Sequence, residues 1–113
     1  MILANGDEIK LTYNLAALVD IENEFEGLTD LGEILSDSKH ALRDTVSLLR
    51  IGVNATIARE NELKGENRPY YTNKKLASLI DVTQISELRE LISDAFTRSM
   101  EQTFTAENET KNG

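Results

Sequence analysis

The stretch from Ala41 to Ile57, ALRDTVSLLRIGVNATI, constrains this chain more than any other. At about 100° per residue, Leu42, Val46, Leu49, Val53 and Ile57 fall on one apolar stripe. Leu48, Ile51 and Ala55 fall on a second stripe nearly opposite, and the small residues Ala41, Thr45, Gly52 and Thr56 lie between the two. Arg43, Ser47, Arg50, Asn54 and Ala58 are left for a narrow polar strip. A helix that is apolar around most of its circumference belongs inside a bundle. Gly52 costs about 1 kcal/mol relative to Ala in a helix interior, so its presence predicts close approach by another backbone.

The chain has 113 residues, the size of one domain. A domain of that size buries roughly two-thirds of its unfolded surface and needs no covalent staple. The expected fold is mainly α: a small bundle of about five helices preceded by an N-terminal β-hairpin. Residues 1–104 form the helical domain, with the hairpin at 1–13, and residues 105–113 form a polar, disordered tail. There is no cysteine, so disulfide and thiol chemistry are excluded. No segment has the length and apolarity of a membrane span, and no basic-then-apolar leader opens the chain. These features predict a soluble protein of a reducing compartment.

Formal net charge is -8, unevenly distributed. Residues 1–40 hold nine acids and two bases, residues 41–80 four acids and seven bases, and residues 81–113 seven acids and three bases. Phosphate backbones select basic surfaces, so nucleic acid is not the expected partner. The basic middle segment is placed to neutralise the acidic first one, within a chain or between subunits.

Asn5-Gly6 is a strong two-residue turn signal, because both residues tolerate positive φ. It sets Ile2 opposite Ile9 and Ala4 opposite Asp7. A lone hairpin is marginal in water. This one lies on the helices as a lid or pairs across a subunit contact. Asn14 is an N-cap for a helix to Glu26, with Gly27 as its stop and Leu15, Leu18, Val19, Ile21 and Phe25 inward. Glu22 falls inside that arc, either wet at the rim or paired with Arg50 or Arg59. Asp30 and Glu33 have capping-box spacing for a short helix with Leu31, Ile34 and Leu35 inward. Ser36, Asp37 and Ser38 break and cap before the central helix, which places His40 in its first turn and ends it near Glu62. Pro69 biases Arg68 to extended geometry in the loop LKGENRPYY. Tyr70 and Tyr71 there either divide between packing and surface or form an exposed binding edge. Thr72 caps a short helix with Leu76, Ala77, Leu79 and Ile80, and Asp81–Thr83 is a brief turn. The last helix spans about Gln84–Phe104. Its apolar arc of Ile85, Leu88, Leu91, Ile92, Ala95, Phe96, Ser99 and Met100 is wide for an edge helix. Either the whole arc packs in the core, or its far end, at Met100 and Phe104, packs on a partner.

No catalytic set emerges. There is one histidine, His40, with no obvious partner, and no phosphate loop, nucleophile elbow or Cys/His set. Asp20 with Glu24, and Glu22 with Glu26, are carboxylates one turn apart, but no calcium loop follows them. The chain is therefore read as non-enzymatic, with no cofactor and no metal. The candidate partner-binding residues are Ile2, Tyr70, Tyr71, Ile92, Phe96, Met100 and Phe104.

Three places carry a resemblance. The first is the Asn-Gly turn running into YNLAALVDIENEFEGL, with Asn14, Ala17, Leu18, Ile21, Glu22, Gly27 and Leu28 at matching positions. The second is the apolar central helix with Gly52. The third is YYTNKKLASLIDVTQISELRELISDAF, a Thr-capped short helix ending in Leu79-Ile80-Asp81 before a long helix ending in Ala95-Phe96. In this order, over about residues 1–100, they resemble the tail assembly chaperones of long-tailed bacteriophages and prophages. The RPYY loop belongs to no motif of that family. The resemblance implies a self-associating protein of the host cytoplasm, absent from the mature virion. It would bind the tape measure protein, keep it soluble and help recruit tail tube subunits. The contrasting reading, from charge, is a small acidic regulatory adaptor or antitoxin-like protein that masks a basic partner.

Overall fold

A computed structural model describes residues 1–26, 34 and 40–112, with side chains as far as Ser99. Its helices are α1 (Leu15–Glu24), α2 (Ala41–Lys64), α3 (Asn73–Ser78) and α4 (Ile85–Asn112). A 3-10 turn at Val82–Gln84 leads into α4. The mainly helical expectation holds, with four helices among the described residues rather than about five. The fifth was the short helix near Leu31–Leu35. Of it, Ile34 alone is described, and it is buried. Its Asp30–Glu33 cap, the Gly27 stop and the Ser36–Ser38 break lie outside the described residues.

α2 is the hub: α1, α3 and α4 all pack on it. Leu48, Leu49, Ile51, Val53, Ala55 and Ile57 are buried, drawn from both predicted stripes. Leu48, Leu49, Ile21, Leu76, Leu88 and Ile92 are fully enclosed, each worth about 1.5–3 kcal/mol of apolar burial. Two assignments on α2 are corrected. Leu42, placed on the first stripe, is 59% exposed at the helix start. Ser47, placed on the polar strip, is buried because Asn73 of α3 crosses it and donates to its hydroxyl at 3.0 Å. His40 sits at the N-cap, exposed, rather than within the first turn. α2 passes Glu62 and ends where Gly65 turns left-handed at φ 66°.

The predicted N-terminal hairpin does not form: the described residues contain a tight turn with one isolated bridge, Ile2 to Glu8, and no strand. The Leu3 carbonyl accepts from Gly6 N–H at 2.9 Å, with Gly6 at φ 91°. Three residues, Ala4 to Gly6, therefore make the loop, where the Asn-Gly signal implies two. Register slips by one, which flips the faces. Leu3 and Ile9 go inward, and Ile2 is left 65% exposed. No ladder follows, and three of the remaining backbone groups bond outside the turn instead. Ala4 N–H donates to Leu79 O (3.1 Å) and Thr12 N–H to Gly52 O (3.1 Å), while Lys10 O accepts from the Thr56 hydroxyl (2.8 Å).

Local signals set the helix starts. The Asn14 side chain accepts from Ala17 N–H (3.0 Å), and that of Thr72 from Lys75 N–H (3.1 Å). Asp81 and Gln84 close a capping box before α4. α1 stops at Glu24, short of Glu26. Its buried arc is narrower than predicted. Ala17 and Ile21 are buried and Leu18 and Phe25 half-buried, whereas Leu15 and Val19 are 78% and 49% exposed. Glu22 is exposed, and Arg50 pairs with Glu24 instead. In α3, Leu76 is buried and Ala77 exposed. α4 buries Leu88, Ile92, Ala95 and Phe96. It continues past Phe104 to Asn112, through the segment expected to be disordered. Thr105 to Asn112 contains no Pro or Gly to stop it.

Candidate functional site

Two surfaces merit a functional reading, and both are organised by α2. The first depends on Gly52. A Cβ there would lie 2.9 Å from Tyr13 Cζ and 3.1 Å from Leu11 Cδ2. The close approach that Gly52 predicts thus takes two forms: the Tyr13 ring occupies the missing methyl's place, and the Thr12 amide reaches the Gly52 carbonyl. Tyr13 is sealed in this position. Its hydroxyl donates to Leu48 O at 2.8 Å, and its ring meets Phe96 at a 5.4 Å centroid distance. Burial pushes its phenol far above the usual tyrosine range. This anchor fixes the start of α1, and α1 then presents Leu15 and Val19, one turn apart, to solvent. Asp20 and Glu22 beside them are exposed as well.

The second surface surrounds Tyr71. Asn54 and Asn61 stand two turns apart on α2, hence on one face. Each grips the returning loop by its backbone. Asn61 bonds Arg68 N–H (3.0 Å) and Arg68 O (3.2 Å), and Asn54 bonds Tyr71 N–H (2.8 Å) and Tyr71 O (2.9 Å). Pro69 supplies the extended link between the grips. Tyr71 is thereby packed down, with its hydroxyl donating to Asp7 Oδ2 at 2.5 Å and Lys75 Nζ 5.0 Å from its ring centroid. That hydrogen bond, aided by Asn5 and the nearby Lys75 and Arg68 charges, holds the Asp7 carboxyl below its ordinary range. Burial first, and Asp7 second, push the Tyr71 phenol up. A cleft of about 240 Å³ opens between Glu8–Lys10 and α2, and a neighbouring one of about 250 Å³ continues past Tyr71 to Lys75.

Those of the predicted partner-binding residues whose side chains are described do not converge on one place. Ile2 and Tyr70 are exposed, at 65% and 56%. Tyr71, Ile92 and Phe96 are buried and are corrected to core positions. The side chains of Met100 and Phe104 lie outside the described set. Sequence reasoning missed Leu15, Val19 and Leu42 as surface residues, and Asp7, Arg68 and Lys75 as neighbours of Tyr71. Asn54 and Asn61 at two-turn spacing were the available clue to the second group. Among the described residues no cluster of three or more potential ligands could hold a metal ion. Among them, too, no helix is long and apolar enough to cross a membrane. No family model, no curated relative and no solved structure matches the chain.

Proposed function

We propose that this chain is a non-enzymatic phage tail assembly chaperone. It binds the tape measure protein through apolar helical surface, helps recruit tail tube subunits and self-associates in the bacterial cytoplasm. The reading rests on the order of sequence signals that resembles that family. The observation that carries it is the outer face of α1, where Leu15 and Val19 are left at 78% and 49% exposure. A helical client that exposes apolar surface before it is enclosed is matched by such a face. The acidic balance of the chain keeps a loaded complex dispersed.

Co-expression with a tape measure fragment tests this directly. The fragment should become soluble and co-purify, and Leu15→Glu with Val19→Glu should abolish co-purification while leaving the thermal midpoint within a few degrees. A fragment that stays insoluble removes the reading. A complex that dissociates steeply at moderate salt favours the acidic-adaptor reading instead.

A further inference from the structure

The N-terminal turn uses only one edge of its second arm. Leu3 N–H donates to Asp7 O (2.8 Å) and Ile9 N–H to Met1 O (2.9 Å), so residues 7 and 9 face the first arm. In an extended chain, residues 8 and 10 then direct their backbone groups the other way. Lys10 O does so, accepting from the Thr56 hydroxyl on α2. Glu8 N–H, Glu8 C=O and Lys10 N–H make no hydrogen bond among the described residues. The 240 Å³ cleft lies along this edge, with Val53, Ile57, Glu60 and Arg68 among its other lining residues.

We propose that this edge and cleft bind an extended segment of another protein as an added antiparallel strand. Two features select the occupant. Donor and acceptor groups spaced two residues apart are matched by extended main chain. Glu8 and Lys10 also project from one face of that edge, both exposed, and cross-strand pairs of opposite charge stabilise whereas like charges destabilise. An antiparallel segment therefore places an acid opposite Lys10 and, two residues later, a base opposite Glu8. The preferred motif reads Asp/Glu-x-Lys/Arg from N to C. A second copy of this chain is not the occupant, because its own α2 covers the same edge through Thr12–Gly52 and Lys10–Thr56. Pairing two such edges brings two α2 helices into one space. The inference is independent of the tail-assembly reading, since it concerns a different surface and a short peptide.

The test is a titration of the isotope-labelled full chain with Ac-Thr-Glu-Val-Lys-Thr-NH2, read by amide chemical shifts. Saturable shifts are expected at Glu8, Lys10 and Tyr71. Binding should be about tenfold tighter than for the order-swapped Ac-Thr-Lys-Val-Glu-Thr-NH2. Methylating the backbone amide nitrogen of the lysine in the first peptide should remove binding, as should Glu8→Pro, which deletes an N–H the fold does not use. If Glu8→Pro fails to fold, the double exchange Glu8→Lys with Lys10→Glu serves instead and should invert the peptide preference. Equal binding of both peptides, an unchanged preference in the exchanged variant, or shifts located elsewhere overturns the proposal.

Discussion

α1 and α4 read alike as sequences: each shows an apolar arc against a charged one. The molecule treats them differently. α4, whose arc is wide enough to leave some for a partner, buries Leu88, Ile92, Ala95 and Phe96 completely or nearly so. α1 keeps Ala17 and Ile21 inside and leaves Leu15 and Val19 out. Periodicity states which side of a helix is able to be buried. How much of it is buried depends on what crosses that side. α4 sets Phe96 against the Tyr13 ring, whereas α1 turns only Ala17 and Ile21 fully into the core.

The largest expected effect tests that contrast. Ile92→Ala should lose about 2–5 kcal/mol, as a buried large-to-small change, while Leu15→Ala should stay within about 0.5 kcal/mol. Urea unfolding with a shared slope reads both, and equal losses would erase the difference between the helices. Next comes the junction that orients α1. Gly52→Ala gains about 1 kcal/mol of helix propensity. It forces a methyl into the Tyr13 ring, an overpacking worth about 1–3 kcal/mol. The ring cannot swing away, being held by Leu48 O and Phe96. A net loss is expected, and a more stable variant would show the ring to be mobile.

The smallest effect concerns Asp7 and Tyr71. The Asp7 carboxyl is held below its ordinary 3.8, chiefly by the Tyr71 hydroxyl. The unfolded chain therefore takes up that proton first as pH falls. The contact contributes fully above the ordinary value and is lost as pH drops through the lower folded one. Asp7→Asn should lower the thermal midpoint modestly at neutral pH and flatten its fall in acid, so that the two proteins converge at low pH. An unaltered acid limb would mean that the latch does not couple to folding.

What was legible in the sequence was local. Asn14 and Thr72 announce their caps because a cap is decided within four residues. The apolar circumference of α2 is equally visible. Features set by distant partners were not. The hairpin register depends on Ala4 meeting Leu79 and Thr12 meeting Gly52, contacts that no turn rule contains. Ser47 falls on the polar strip in pattern and is buried in space because Asn73, far along the chain, lies against it. The Tyr71 surface is hidden for the same reason: Asn54, Arg68 and Asp7 come from three separate stretches. Leu15 and Val19 fit a buried arc in pattern and fail it in space, which leaves apolar area open on α1.

The three tyrosines, with no tryptophan beside them, occupy three different surroundings. Tyr13 is walled in, Tyr71 is clasped between loop and turn, and Tyr70 is wet. Absorption in the tyrosine band, and the emission excited there, therefore report on these rings alone. Single phenylalanine replacements would separate their signals. The order in which they change on heating would show whether the interior or the peripheral clasp loosens first, with no dye attached.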